Sequence, residues 1–216
     1  MVARNKFLGL GLRRKYEEEA VIIISDVYSS KKSMNHIENR LKKDGFTIYN
    51  IHPKGSNTIL QLAGSLNIQL NNIIINHTKI HFVAHSVGCG ILERMFNMIH
   101  DRNFWLKIGR IVLIDFPDNN MELMNSVLPS KFENFIINLL LKSPKKSYRY
   151  HKSSLLDFPE NKTLLIIGTE DTNFINNIEP LTSSKIFSKT IHTVKKPILK
   201  NEKTIEETSF FIRRIT

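Results

Sequence analysis

Cysteine is almost absent from this sequence. Cys89 is the one thiol in 216 residues, so no internal disulfide can form and nothing calls for an oxidising compartment. No group of Cys and His stands at zinc-ligand spacing, and neither a metal nor a cofactor is expected. No apolar run approaches the roughly 18 residues that a membrane-spanning helix needs. The apolar run at 7–12 is shorter than the core of a secretion signal, and glycines interrupt it. Residues 1–19 read as a lead-in segment, and a cytoplasmic location is the expectation.

Negative charge is also scarce. Thirty-one Lys and Arg against 20 Asp and Glu give a net charge of +11 and a pI near 9.7. Such an excess favours anionic partners through long-range attraction. The basic residues nevertheless come as scattered doublets (Lys31-Lys32, Lys42-Lys43, Lys145-Lys146, Lys195-Lys196, Arg213-Arg214). No aromatic residues interleave with them to stack bases, so a nucleic-acid partner is not expected. Weak association with an anionic membrane surface is the role that this charge leaves open. Oligomeric state is not legible.

What is present is the composition of a globular domain, 41% hydrophobic and 24% charged. No repeat or low-complexity linker divides the chain, so residues 20–216 are expected to form a single domain. Short β-branched runs predict strands at 20–25, 46–51, 79–84, 110–115, 163–168 and about 187–191. Between them, helical spacing predicts a helix capped by Ser33 and stopped by Gly45, and others at 56–73 and 87–100. The second helix should turn Ile59, Leu60, Ala63 and Leu66 to the core. A last helix at 202–214 should start at Asn201 with a Thr204-to-Glu207 capping pattern. Strand alternating with helix implies an α/β chain: a mostly parallel, doubly wound sheet of about six strands, helices on both faces. Residues 116–160 break that rhythm and read as a cap or lid insertion. Their apolar stretch 132–141 either packs in the core or covers the site.

The segment KIHFVAHSVGCG, 79–90, carries the chemistry. It reads as strand, tight turn, helix, with Ser86 at the apex. A nucleophile elbow needs small residues two before and two after its serine, because strand and helix backbones nearly touch there. Ala84 and Gly88 satisfy this, with His85 between Ala84 and the serine. The bent backbone lifts Oγ above the carboxyl end of the sheet, and the Val87 N–H is aimed where an oxyanion would form. The plain alternative is a serine that merely caps the helix.

A serine needs a base to take its proton and an acid to orient that base. In chain order the acid follows a later strand and the base the last one. After TLLIIG stand Glu170 and Asp171, with Asp171 favoured and Glu170 and Glu179 in reserve; solvated loop acids are the alternative. His192, between the last strand and the last helix, fills the slot of the base, unless it is structural. His81 on its strand is expected to be packed or surface-exposed, and His85 to point away from the apex.

From about residue 20 onward the sequence resembles the small bacterial α/β hydrolases of the lipase and esterase type. The resemblance rests on Ser33-Met34, KDGF at 43–46, FVAHSVG at 82–88, GRIVLI at 109–114 followed by Pro117, and His192-Thr193 ahead of a final helix ending FIRR. It implies hydrolysis of a small-molecule or lipid ester, with Ser86 as nucleophile and His192 as base. Two departures stand out. The family's His-Gly, the second half of its oxyanion hole, is Ser25-Asp26 here; by position the Val27 N–H becomes the second donor. Asp26 brings a side chain, and glycine tolerates backbone angles that aspartate resists. After GRIVLI the family's Pro-Asn-x-Gly-Ser is replaced by Pro117-Asp118-Asn119-Asn120-Met121. The expectation is a serine esterase; the competing reading is a hydrolase-fold binding module whose catalysis Asp26 has impaired.

Overall fold

A computed structural model describes residues 18–27, 29–53, 59–116, 158–159, 162–169, 187–192 and 197–214, the side chains of 169 and 188–192 excepted. The described residues hold six strands, the first four with helices between them: β1 (Glu19–Ile24), α1 (Asn35–Asp44), β2 (Thr47–Ile51), α2 (Ile59–Ile74), β3 (Lys79–His85), α3 (Val87–Phe96), α4 (Arg102–Lys107), β4 (Ile108–Ile114), β5 (Thr163–Thr169), β6 (Phe187–His192) and the closing α5 (Glu202–Arg213). The strands form one sheet in the order β2-β1-β3-β4-β5-β6, and every neighbouring pair is parallel.

Period-2 alternation divides the core between the two faces of that sheet. Ala20, Ile22, Ile24, Phe82, Ala84 and Leu113 pack with α2, α3 and α4 on one face. Val21, Ile23, Val83, Val112, Ile114 and Ile166 pack with α1 and α5 on the other. The unbroken β-branched runs of the central strands follow from this double burial.

Several local expectations need correction. Leu60 is 57% exposed, and α2 buries Leu62 in its place, beside Ile59, Ala63 and Leu66. Ser33 does not cap α1: the residue at the cap is Met34, and Ser33 Oγ meets Ser29 Oγ at 2.9 Å instead. Gly45 does end that helix, at φ 103°, a left-handed conformation for which a Cβ is a penalty. The helix after β3 stops at Phe96, and the separate α4 follows, with the Asp101 side chain accepting from Asn103 N–H at 2.8 Å. Asn201 alone caps α5; Thr204 lies inside that helix with its hydroxyl buried.

The lead-in through residue 17 and residues 117–157 lie outside the described residues. The two ends of the 116–160 segment come together, however. Phe116 and Phe158 meet edge to face, ring centroids 6.1 Å apart, and Phe158 meets Phe96 in the same way at 5.9 Å. A segment whose ends meet can vary in length at small cost to the sheet. No described helix is long and apolar enough to cross a membrane.

Candidate active site

In a parallel sheet every strand ends on one edge, and binding groups gather there. That edge carries His52 after β2, Ser25 and Asp26 after β1, His85 and Ser86 at β3, and Asp115 after β4. Strand order places β1 and β4 on either side of the Ser86 strand.

Ser86 has φ 51° and ψ −122°. This is costly for a residue with a Cβ, on the order of 1–3 kcal/mol, and persists only where the surroundings enforce it. Here two constraints do so. The Ser86 N–H donates to the Ile114 carbonyl at 2.9 Å, while its carbonyl accepts from Cys89 N–H at 2.9 Å, so strand and helix pull the residue from both sides. The turn is closed by the missing side chain at Gly88, where a Cβ would stand 2.7 Å from the Ile24 carbonyl oxygen. Ala84, fully buried, meets the same demand on the strand side. Ser86 occupies the N-cap position of α3 but makes no side-chain capping bond, so helix capping does not account for this serine.

Val87 opens α3, and the first N–H groups of a helix lack intrahelical partners. Val27 lies on the adjoining loop, because β1 and β3 are paired up to Ile24 and Ala84. Among the described residues the only non-glycine residues with positive φ are Ser86 and Asp115. Asp26 therefore needs no glycine-like backbone.

Asp115 is the feature that sequence reasoning missed, having counted it as the last residue of a strand. The strand ends at Ile114, and Asp115 turns out of it at φ 48°. Its N–H donates to the Ile166 carbonyl and its Oδ1 accepts from Gly168 N–H, both at 2.8 Å. Its Oδ2 lies 4.0 Å from His85 Nε2, and 36% of the side chain stays exposed. Burial pushes the Asp115 carboxyl above the ordinary carboxylate range, against the pull of the Gly168 N–H and of His85. The available signal was a carboxylate at the carboxyl end of the strand next to the elbow.

His85 is turned toward Asp115, and burial holds its imidazole below the usual histidine value although Asp115 and Asp26 both favour the cation. His81 is packed: its Nε2 lies 2.9 Å from Glu19 Oε2, and its Nδ1 accepts from Arg110 N–H at 2.9 Å.

His192 closes β6, paired with Thr169, on the same edge as Ser86 but three strand positions from β3. Its side chain lies outside the described residues, as do Glu170, Asp171 and Glu179. Among the described residues no group of His, Cys, Asp and Glu could hold a metal ion.

No protein-family model matches the sequence, and no curated protein matches it. Solved structures do. An extracellular α/β-hydrolase from a Paenibacillus species is 14% identical with a TM-score of 0.55, over 90% of this chain and 99% of that one. An esterase from Pyrococcus furiosus is 15% identical with a TM-score of 0.56, over 92% and 82%. The NocB thioesterase domain, solved in covalent complex with a fluorophosphonate nocardicin G analogue, is 11% identical with a TM-score of 0.56, over 94% and 96%. At such identities likeness speaks for architecture, and with the sheet order and the bend at Ser86 it gives one result: the chain has the α/β-hydrolase fold.

Proposed function

We propose that this protein is a serine hydrolase that cleaves a carboxylic ester through an acyl-enzyme on Ser86. The observation that carries the reading is the strained, non-capping Ser86 at φ 51°. Strain kept at a polar residue on the open edge of a sheet is a mark of function. His192 is the base in this reading, on chain order and on its place at the same edge. Ser86 Oγ attacks the ester carbonyl as its proton passes to His192. The Val87 and Val27 N–H groups receive the charge on the carbonyl oxygen. The imidazolium gives its proton to the departing alcohol, and water, deprotonated by His192, releases the acid.

Two carboxylates compete to orient His192. Asp171 holds the position expected from chain order. Asp115 has a case of its own on the described edge: one oxygen is fixed by Gly168 N–H, the other lies 4.0 Å from His85 Nε2, and part of the side chain remains exposed. Esterase and thioesterase neighbours support acyl transfer as the reaction class, and a small-molecule or lipid ester is the substrate class proposed. Association with anionic membrane surfaces stays a secondary proposal, supported by the charge of +11.

A fluorophosphonate probe tests the reading. Wild type is expected to be labelled, Ser86→Ala not at all, and His192→Ala at least about a hundredfold more slowly. Folded wild type that takes no label and hydrolyses no ester would refute catalysis. The reading of a binding module, favoured by Asp26 beside the proposed oxyanion site, would then stand.

A further inference from the structure

We propose that His52 is a positioning residue for the oxyanion site: through Ser25 it clamps the loop that presents the Val27 N–H. This rests on the hydrolase reading above. Ser25 is fully buried at the end of β1. Its N–H donates to the Ile51 carbonyl at 3.3 Å, extending the β1–β2 ladder by one step. One residue past the end of β2, His52 Nδ1 lies 2.7 Å from Ser25 Oγ. The clamp stands where the chain leaves the sheet, on an edge strand that has no further neighbour in the described sheet. Pro53 follows His52 and is buried. A residue before proline is biased toward extended backbone, which narrows the backbone conformations from which the imidazole can reach Ser25.

Ser25 reaches both halves of the proposed oxyanion site. Its carbonyl and that of Ile24 form the wall against which Gly88 packs, with a Cβ on Gly88 3.1 and 2.7 Å from the two oxygens. The first turn of α3, with Val87, is thereby referenced to β1. Beyond Ser25 the loop is tied to itself. The Asp26 carbonyl accepts from Ser29 N–H at 3.2 Å and from Ser29 Oγ at 2.9 Å, and Ser29 Oγ meets Ser33 Oγ at 2.9 Å. These ties hold the shape of the loop. Its position against α3 depends on Ser25, whose hydroxyl has His52 as its partner. Two donors act together on one oxygen only when their spacing is held, and a displacement of about 1 Å can cost about a hundredfold in rate.

The test is a double-mutant cycle on ester hydrolysis, with each rate normalised to the fraction of sites that a fluorophosphonate titrates. His52→Ala and Ser25→Ala should each lower kcat about tenfold or more while KM moves less than about twofold. The double variant should be no worse than the poorer single one, because the pair acts as a unit. His52→Asn, which restores a polar group near the place of Nδ1, should recover part of kcat. If His52→Ala does not fold, Ser25→Ala and His52→Asn carry the comparison. Additive losses, or a His52→Ala kcat equal to wild type, would overturn the clamp and leave the hydrolase reading intact. A wild type that neither titrates nor turns over would overturn that reading itself.

Discussion

Glycine-to-alanine exchange at two helical positions tests the elbow with one chemical change and two opposite expectations. At Gly88 the added methyl would lie 2.7 Å from the Ile24 carbonyl oxygen, 3.1 Å from Ile24 Cγ2 and 3.1 Å from the Ser25 carbonyl oxygen. Two of these three atoms are backbone in a fully buried strand end, so no rotamer change relieves the contact. Strand and helix must separate. Overpacking of this kind costs about 1–3 kcal/mol, which for a chain of this length lowers Tm by about 2–12 °C. At Gly64, inside α2, a Cβ meets nothing within 4 Å. There alanine removes only backbone freedom, gaining about 0.5–1 kcal/mol and raising Tm by about 1–4 °C. Thermal unfolding followed by circular dichroism reads both. The rate of fluorophosphonate labelling supplies the functional half: Gly88→Ala should label more slowly, because the first turn of α3 carries the Val87 N–H away from the β1 loop. Gly64→Ala should label as wild type. A Gly88→Ala protein with unchanged Tm and labelling rate would refute the close approach, and with it the reason for the bend at Ser86.

Ser86→Gly should gain up to the roughly 1–3 kcal/mol that such backbone strain stores, raising Tm by up to about 2–12 °C, while Ser86→Ala should not; equal Tm values for the two variants would deny the strain. Asp115→Asn keeps the size of the side chain and a residue type that tolerates positive φ, so it should fold normally and lose ester hydrolysis by about a hundredfold or more if Asp115 orients the base. Asp171→Asn in the same assay decides between the two acids. Burial lowers the His81 pKa against the opposing pull of Glu19. The unfolded chain therefore takes up a proton below about pH 6.5 that the folded one resists. The stability from the neutral, buried ring is complete above that pH and is lost as pH falls below it. Urea midpoints measured from pH 7 to 5 should decline, and less steeply in His81→Gln; a slope unchanged by that substitution would show that His81 does not set it.

The architecture was legible because it depends on local patterns. Runs such as Val21–Ile24 can be buried on two faces only in a sheet covered on both sides, and Gly45 could end a helix only by a left-handed turn. The elbow was legible for a similar reason: Ala84, Ser86 and Gly88 are constrained within five residues of chain, where spacing alone fixes proximity. Errors arose where side-chain choice depends on neighbours distant in sequence. Ser33 has the right chemistry for a cap, but Ser29 offered its hydroxyl another partner. Leu60 and Leu62 are equally apolar, and only the direction in which α2 lies on the sheet buries the second and leaves the first in solvent.

The site divides along the same line. The sequence by itself determined that one serine would stand at a strand-to-helix bend, since the need for small flanking residues is a short-range steric rule. Tertiary structure alone decided what surrounds it. Asp115 became a candidate only when β4 was seen to end one residue early, releasing a carboxylate held by a Gly168 N–H 53 residues away in sequence. His52 joined the site because β2 pairs with β1, bringing an imidazole within 2.7 Å of a hydroxyl 27 positions earlier in sequence. Hydrogen bonds between strands obey the order in which strands assemble, and that order is a property of the folded sheet.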